Sequence, residues 1–410
     1  MKRVVITGCG VVSPVGIGKE AFWDSLIKGK SGIGKITRFD TKDFDSQIAG
    51  EVRNFELPFL SSKDIRRTPR FAQFALGAAQ EAIEDCGLNL EKIDPYKIGV
   101  IVGSGIGSLE TVEKEHKTLM EKGPRKLSPF MIPMLITNEA AGHVAIRFGL
   151  KGINFCTVTA CASGAHAIGE GYRAIKQDKA TAMVCGGTEA CICPLGVGGF
   201  CALKALSKRN DEPQRASRPF DRQRDGFVMA EGSGMIVLEE LEHAKKRGAV
   251  IYGEISGYGA TCDAYHITAP DPEGIAASKA MSVALDEGEV SRDSNIYLNA
   301  HGTSTQLNDK TETKAIKNTF GSYAESLVIS STKSITGHTL GAAGAIEFIA
   351  CCLAIRDKIV PPTINYEEPD PECDLNYTPN KAKEYDVKAA LSNSLGFGGH
   401  NATLLVKEFK

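Results

Sequence analysis

Short runs of apolar, β-branched residues alternate with longer segments of helical periodicity along the whole chain. The short runs predict strands at residues 4–7, 98–102, 155–158, 182–185, 235–238, 296–299, 328–331 and 389–393. The longer segments predict helices at residues 71–86, 162–175, 275–287, 310–319 and 342–355. This alternation indicates an α/β protein with a largely parallel sheet.

Two parts of the chain echo each other. Residues 155–187 and residues 328–399 both read as strand, loop, helix of small residues, strand and glycine-rich turn. This repetition predicts a duplicated α/β unit, with an N-terminal half at 1–250 and a C-terminal half at 251–410. Because helices rich in Ala and Gly pack closely, we expect them to be sandwiched between sheets.

Composition narrows the class of protein. With 48 Lys and Arg against 50 Asp and Glu, the net charge of −2 gives no overall basic footprint for nucleic acid. No stretch reaches the roughly 18 apolar residues of a membrane span, and the apolar start of the chain is broken by residues 7–10, which disfavours a signal peptide. Twelve irregularly spaced cysteines are typical of reduced thiols, so we expect a cytoplasmic protein.

Cys161 is the candidate nucleophile. It lies where a predicted strand ends and a small-residue helix begins, so free backbone N–H groups and the positive end of the helix dipole are expected to lower its pKa. The other eleven cysteines are interpreted as small buried hydrophobes. Cys191, Cys193 and Cys201 lack the paired spacing of a zinc site.

Two histidines are candidates for the same site. His301 and His338 each follow a predicted strand, as Cys161 does, and ligands bind at the carboxyl ends of strands in α/β sheets. We therefore expect the three side chains to meet. Five other histidines favour structural roles, since those at 116, 166 and 243 lie in helical stretches and those at 143 and 266 have no second catalytic group beside them.

Further polar groups support this prediction. Lys333 precedes His338 in the same segment, and Glu347 is a lone carboxylate in an apolar helix, where it needs a partner such as Lys333. The turn at residues 396–399 offers backbone N–H groups for an oxyanion. A dinucleotide site is disfavoured, because Gly8 and Gly10 follow the first strand but Ser13 occupies the third glycine position.

Four motifs together resemble the β-ketoacyl-acyl carrier protein synthases. They are VTACASGAHAIGEG around Cys161, NAHGTSTQLND around His301, SSTKSITGHTLGAAGAIE around His338 and SNSLGFGGHN near the C-terminus. The resemblance covers essentially the whole chain and is strongest to the elongating members of type II fatty-acid synthesis. It implies a thiolase-like fold, with two similar halves in a five-layer αβαβα arrangement, and a homodimer.

The resemblance also implies a reaction, a decarboxylating Claisen condensation. An acyl group passes from acyl carrier protein to Cys161, malonyl-acyl carrier protein loses carbon dioxide, and the resulting enolate attacks the thioester. His301 and His338 would donate to the enolate oxygen, with Lys333 and Glu347 supporting them. The backbone N–H groups of Cys161 and Phe397 would form the oxyanion hole, and no cofactor is implied beyond the phosphopantetheine of the carrier.

Other residues take expected roles from the resemblance alone. Phe397 gates the pocket, Thr303 and Thr305 meet the pantetheine arm, and Ile106 and Phe200 line the acyl pocket. A basic face for the acidic carrier protein is formed by Lys63, Arg66, Arg67 and Lys204. The resemblance implies no catalytic metal, and the family can hold a structural monovalent cation near Asn299, Glu347 and Asn393. His400 stands where other members carry Thr and is interpreted as a variable loop residue.

Several alternatives remain open from the sequence. A polyketide ketosynthase shares the Cys-His-His set, whereas thiolases use Cys-His-Cys and initiating synthases use Cys-His-Asn. A non-catalytic chain-length partner subunit would lack Cys161. A cysteine hydrolase would need a histidine polarised by Asp or Asn and no second imidazole.

Overall fold

The computed structural model describes residues 1–409. Its helices are α1 (Lys19–Ile27), α2 (Ser62–Ile65), α3 (Arg70–Cys86), α4 (Leu109–Lys122), α5 (Met131–Leu135), α6 (Glu139–Phe148), α7 (Ser163–Lys176), α8 (Pro194–Ala202), α9 (Leu241–Lys246), α10 (Ile275–Glu287), α11 (Gln306–Phe320), α12 (Lys333–Thr336) and α13 (Ala343–Asp357). The predicted helices correspond to α3, α7, α10, α11 and α13.

The strands include all eight predicted ones. They are β1 (Val4–Ser13), β2 (Gly16–Ile17), β3 (Gly34–Lys35), β4 (Ile48–Ala49), β5 (Ile98–Gly103), β6 (Asn154–Thr157), β7 (Ala182–Glu189), β8 (Gly232–Glu240), β9 (Gly253–Cys262), β10 (Ile296–Asn299), β11 (Val328–Ser330), β12 (Ile359–Val360), β13 (Lys383–Glu384), β14 (Ala389–Gly396) and β15 (His400–Lys407).

The main sheet repeats one topology twice. Its strand order is β11-β10-β14-β15-β9-β1-β8-β7-β5-β6, and the two halves join where β9 pairs with β1. If the five strands of each half are numbered 1 to 5 along the chain, their spatial order from the join to the sheet edge is 1-5-4-2-3 in both halves. This shared order agrees with the duplicated unit that the sequence predicts. The predicted division at residue 250 lies between α9 and β9 and stays a prediction.

The prediction of a largely parallel sheet is wrong. In each half only the outer strands are parallel, in the pairs β7/β5, β5/β6, β14/β10 and β10/β11. The five central pairs, from β7/β8 through β14/β15, are antiparallel. The alternation of strands and helices does not specify the direction of pairing, and β15, which is antiparallel to both of its neighbours, is not among the predicted strands.

Helices cover the sheet in three layers. Helices α3 and α6 lie on the outer side of the N-terminal half, and α10 and α11 lie on the outer side of the C-terminal half. Between the halves, α7 and α13 pack against each other and against strands of both halves. The small-residue helices are therefore sandwiched between sheet halves, as their composition predicts.

Glycines make this central contact close. A Cβ added to Gly164 in α7 would lie 3.2 Å from Ala345 in α13, and one added to Gly344 in α13 would lie 2.8 Å from Ala165 in α7. The two contacts mirror each other, which fits a pseudo-twofold axis between the helices. Side chains larger than hydrogen at either glycine would force the helices apart.

The structure bears on two expectations drawn from composition, one about reduced cysteines and one about membrane-spanning segments. All twelve cysteines are free thiols in the part of the chain that the structure describes. The interpretation of the eleven besides Cys161 as buried hydrophobes is wrong for Cys262, which is exposed, and Cys156 and Cys201 are only partly buried. Within residues 1–409, none of the helices has both the length and the apolar character needed to cross a membrane.

Candidate active site

Three reactive side chains meet where the central helices begin. Cys161 lies in a 3-10 turn at Ala160–Ala162, directly before α7. His338 Nε2 lies 3.1 Å from Cys161 Sγ, and the rings of His338 and His301 meet edge to face with centroids 5.3 Å apart. The structure therefore brings together the three residues that strand ends and helix starts predict.

Each histidine is held by backbone contacts. His301 and Gly302 follow β10, and their N–H groups donate to the two oxygens of Glu312, both at 2.8 Å. His338 follows α12, donates its N–H to Val228 O at 2.7 Å and accepts from Ala230 N–H at 2.9 Å. Both imidazoles are thus fixed from behind and face the cavity.

The hydrogen bonds assign the tautomers. Lys333 Nζ lies 3.3 Å from His301 Nδ1, and an ammonium can only donate, so this Nδ1 is an acceptor. The backbone N–H of Leu340 donates to His338 Nδ1 at 3.3 Å, so this Nδ1 is an acceptor as well. In a neutral imidazole the proton is then on Nε2. The site presents two Nε2–H donors toward the cavity.

Both imidazoles are neutral at ordinary pH. Burial holds the pKa of His301 well below its usual value, and the positive charge of Lys333 and repulsion from a protonated His338 oppose protonation of its ring further. Burial and the charge of Lys333 likewise hold the pKa of His338 well below its usual value. The two donors therefore carry no formal charge.

Lys333 and Glu347 form a buried ion pair behind His301. Both residues are almost fully buried, and Lys333 Nζ donates to Glu347 Oε1. Burial raises the pKa of Glu347 to about 7, against the lowering effect of Lys333. The prediction that Glu347 needs Lys333 as a partner agrees with this geometry, although Lys333 begins α12 and does not lie in a loop.

The expectation of a lowered pKa for Cys161 is wrong. Burial raises the pKa of its thiol to about 12, with Lys333 and the Phe397 N–H acting in the opposite direction. Desolvation outweighs these two effects, and the nearby carboxylates of Glu189 and Glu347 raise the pKa further. The resting pair is therefore a thiol beside a neutral imidazole.

A cavity of about 520 Å³ leads to the three residues. The predicted positions that also line it are Ile106, Phe200, Lys204, Thr303, Thr305 and Phe397. The hydroxyls of Thr303 and Thr305 lie 3.0 Å apart, and Phe397 is about one-third exposed at the rim. The lining thus combines hydroxyl groups with apolar side chains.

The predicted basic residues separate into two groups. Lys204 lies at the cavity, whereas Lys63, Arg66 and Arg67 are exposed on and just after α2 and do not line it. The Arg67 guanidinium stacks 4.4 Å above the ring of Phe130. The structure leaves all four side chains available to solvent.

The predicted cation position is tested by unpartnered oxygens. Asn299 Oδ1 and Glu347 Oε2 are buried and find no hydrogen-bond partner among residues 1–409. Asn393 differs, since its oxygen accepts from Thr403 at 2.9 Å and its amide donates to Glu312 at 3.2 Å. Two of the three oxygens thus fit a monovalent cation.

A metal at the reactive cluster fits less well. The sulfur of Cys161 and one nitrogen each of His301 and His338 lie within 4.8 Å of one another, a spacing that could hold an ion. Binding through Nε2 would, however, displace the proton that the hydrogen bonds to Nδ1 place there. The site is built to donate hydrogen bonds.

Sequence reasoning missed three supporting residues. Glu312 holds the His301 segment, Phe227 packs edge to face on the His338 ring with centroids 5.3 Å apart, and Glu189 accepts hydrogen bonds at the cavity wall. A carboxylate at the end of an apolar strand was a visible signal for Glu189, whereas Phe227 is indistinguishable in sequence from a core residue.

The family models match nearly the whole chain. Residues 1–244 match the N-terminal domain of beta-ketoacyl synthase, and residues 252–367 match its C-terminal domain. The chain belongs to the beta-ketoacyl synthase family. The predicted family and the thiolase-like fold are confirmed, and the protein is an acyl-transferring condensing enzyme.

Close relatives of this beta-ketoacyl synthase carry one name. The chain is 52% identical to a 3-oxoacyl-[acyl-carrier-protein] synthase 2 of Synechocystis sp. over 410 residues, which is 100% of the chain and 99% of the relative. It is 52% identical to a protein of the same name from Coxiella burnetii over 406 residues, 99% and 98% of the two chains.

Solved structures agree with the assignment to the beta-ketoacyl synthase family. A beta-ketoacyl synthase from Burkholderia phymatum superposes with a TM-score of 0.93 at 35% identity, covering both chains fully. A chain from a type II polyketide synthase structure, in which an acyl-carrier protein is in complex with its ketosynthase, superposes with a TM-score of 0.91 at 38% identity, again with full coverage of both.

We expect the raised pKa of Cys161 to govern its alkylation. Because only the thiolate reacts and its fraction grows about tenfold per pH unit below the pKa, the rate with iodoacetamide should climb up to about pH 10 without levelling. Peptide mass spectrometry measures the rate at Cys161, and exposed Cys262 in the same digest reports on the reagent. A plateau below about pH 9 would contradict the raised pKa.

Proposed function

We propose that this beta-ketoacyl synthase elongates acyl chains in type II fatty-acid synthesis. It condenses malonyl-acyl carrier protein with an acyl group held on Cys161, giving β-ketoacyl-acyl carrier protein and carbon dioxide. The observation that carries the proposal is the pair of neutral Nε2–H donors converging on the cavity beside a cysteine sulfur. The names of the relatives at 52% identity favour fatty-acid elongation over polyketide synthesis.

The first half-reaction loads Cys161. The sulfur attacks the carbonyl carbon of the acyl thioester, the C–S bond to the carrier breaks, and the carrier thiol leaves with the proton. As the thiolate forms, it accepts from His338 Nε2–H and from the Phe397 N–H, while the N-terminus of α7 favours negative charge. These groups offset the desolvation that keeps the thiol protonated at rest.

The tetrahedral oxyanion needs backbone donors. The N–H groups of Cys161 and Phe397 are proposed to hold it. Gly396 is consistent with this proposal, because a Cβ there would meet Thr159 O at 2.7 Å and the Cys161 nitrogen at 3.3 Å and would fill the space beside this N–H group. Glycine at 396 thus keeps the oxyanion hole open.

The second half-reaction uses both histidines. Breaking the bond between the malonyl carbon and its carboxylate releases carbon dioxide and leaves an enolate. Its oxygen accepts from His301 and His338, each contributing about 3 kcal/mol to transition-state stabilisation by analogy with oxyanion-hole donors. The enolate carbon then attacks the Cys161 thioester, and the released thiolate takes up a proton. Lys333, paired with Glu347, keeps His301 in the donating tautomer.

The remaining assignments follow the cavity. Thr303 and Thr305 provide hydroxyls for the pantetheine arm, Ile106 and Phe200 bound the acyl chain, and the exposed Phe397 gates entry. Substrates arrive on the phosphopantetheine of the carrier protein, and no further cofactor is proposed. A monovalent cation held by Asn299 and Glu347, with Asn393 beside them, would stabilise the fold without taking part in the reaction.

The proposed partners are acyl carrier protein and a second copy of the chain. Lys63, Arg66, Arg67 and Lys204 offer exposed positive charge to an acidic carrier. The homodimer is supported by β6, which ends the main sheet and exposes 41% of Phe155, with Val158 just beyond it 53% exposed. An apolar strand edge of this kind favours pairing with another strand. A cytoplasmic location stays a prediction.

Intact mass tests the acyl-enzyme. Mixing with a medium-chain acyl-carrier protein should add the acyl mass at Cys161, and adding malonyl-carrier protein should remove it as β-ketoacyl product forms. The Cys161→Ala variant, which lacks the nucleophile, should show neither step. An adduct that is lost only as free acid would indicate a hydrolase, and β-ketoacyl product from Cys161→Ala would overturn the nucleophile assignment.

Separate assays test the histidines. His301→Ala and His338→Ala should each slow carbon dioxide release about 10²- to 10³-fold, and slow acyl loading less, because each removes an enolate donor. Radiolabelled carbon dioxide release and acyl-enzyme mass measure the two steps. His116→Ala, at an exposed position on α4, is the matched control and should resemble wild type. Equal losses in both steps would contradict the enolate role.

Charge reversal tests the docking face. Lys63→Glu combined with Arg67→Glu should raise the KM for carrier-bound substrate about tenfold, with little change in kcat, because encounter with an acidic partner loses its electrostatic steering. The control is Lys381→Glu with Lys383→Glu, an equal charge change at exposed positions that do not line the cavity. An unchanged KM in the first variant would remove Lys63 and Arg67 from the docking face.

A further inference from the structure

The helices α7 and α13 begin with the same backbone device. Each follows a 3-10 turn, Ala160–Ala162 before α7 and Leu340–Ala342 before α13. The first residue of each turn has a positive φ, 49° at Ala160 and 50° at Leu340. Cys161 is the second residue of the turn before α7, and Gly341 is the second residue of the turn before α13. Gly341 therefore corresponds to Cys161.

The strands beside these turns correspond as well. β14 packs against the turn that carries Cys161, and β7 packs against the turn that carries Gly341. Both strands have 8 residues, so Glu189 at the end of β7 corresponds to Gly396 at the end of β14. The oxyanion hole therefore has an internal counterpart, in which a glutamate replaces the glycine that keeps the first one open.

Glu189 fills this counterpart completely. Its Oε2 accepts from the N–H groups of Gly105 at 2.8 Å and Gly341 at 3.1 Å. Its Oε1 accepts from the Ser104 hydroxyl at 3.0 Å and from the Ile106 N–H at 3.3 Å. A Cβ at Gly341 would lie 2.6 Å from Oε2, so the carboxylate occupies the volume that a second nucleophile would need.

These contacts join two walls of the active site. One wall is the segment 104–106, which brings Ile106 to the cavity, and the other is Leu340–Gly341, whose Leu340 N–H donates to His338 Nδ1. Glu189 is fully buried and makes no contact with Cys161 or with either imidazole among its hydrogen bonds. It acts through the residues that it holds and through its negative charge, which contributes to the raised pKa of Cys161.

We propose that Glu189 is a positioning residue whose carboxylate fills a second anion hole, the internal counterpart of the oxyanion hole at Cys161. By filling it, Glu189 locks the Ile106 segment against the Leu340–Gly341 segment and so fixes the tautomer of His338. Its effect on catalysis rests on the proposed condensation, whereas the anion hole itself does not.

Chemical rescue tests the hole without an activity assay. Glu189→Ala should lower the Tm and leave a cavity lined by backbone N–H groups, and sodium formate should raise that Tm saturably, beyond equal sodium chloride. Glu189→Gln is the matched control, because it removes the charge but fills the cavity, so formate should have no effect. A folded Glu189→Ala variant without a formate-specific response overturns the proposal.

Two further measurements keep the test decisive. If Glu189→Ala does not fold, the order of Tm should be wild type, then Glu189→Asp, then Glu189→Gln, because Asp keeps a carboxylate whose two oxygens accept hydrogen bonds, whereas the amide of Gln turns one N–H donor toward another. Glu189→Gln as stable as wild type overturns the proposal. In the condensation assay, kcat of Glu189→Ala should fall about tenfold and recover in formate. A formate response in Tm with an inactive wild-type enzyme would refute the proposed function alone.

Discussion

The close contact between α7 and α13 is the constraint on which the active site depends. Gly164 and Gly344 let the two helices approach until each touches an alanine of the other. Because both helices start at the same level of the molecule, the turn with Cys161 and the segment with His338 meet there. A wider separation would leave the sulfur and the imidazole, now 3.1 Å apart, out of contact. The reactive geometry is thus a product of helix packing between sheet halves.

Burial then sets the charge state of every reactive group. It keeps Cys161 a thiol and both histidines neutral, while the buried charge of Lys333 is balanced by Glu347. Such an arrangement is expensive unless each polar atom has a partner. Lys333 partners His301, the Leu340 N–H partners His338, and Glu347 partners Lys333. Two further buried carboxylates, Glu312 and Glu189, accept from the backbone of the segments that carry these groups.

Local sequence signals were sufficient for the reactive residues and for most elements. Cys161 and His301 each lie shortly after the end of a strand, and such ends are visible as apolar runs that stop at a polar residue. His338 lies after α12, but the strand β11 precedes that helix closely enough for the sequence to indicate the same edge of the sheet. The direction of strand pairing was not visible, because β1, β8, β9 and β15 pair across distances that no local pattern records. The pKa of Cys161 was also beyond reach, since its sign depends on how deeply the assembled walls enclose the sulfur. Contacts such as Phe227 against His338 depend on packing alone.

Because the two imidazoles are neutral, the site distinguishes the bound malonyl group from the enolate that forms from it. A malonyl group brings a carboxylate, and an imidazolium facing it would bind that reactant anion about as strongly as the enolate that follows. Uniform binding of this kind lowers no barrier. Neutral N–H donors, with the full charge of Lys333 held behind His301 and paired with Glu347, offer the carboxylate no counter-ion and gain strength only as charge reaches the thioester oxygen. The lowered pKa values of the two histidines therefore keep the site from binding the malonyl carboxylate as strongly as the enolate-like transition state.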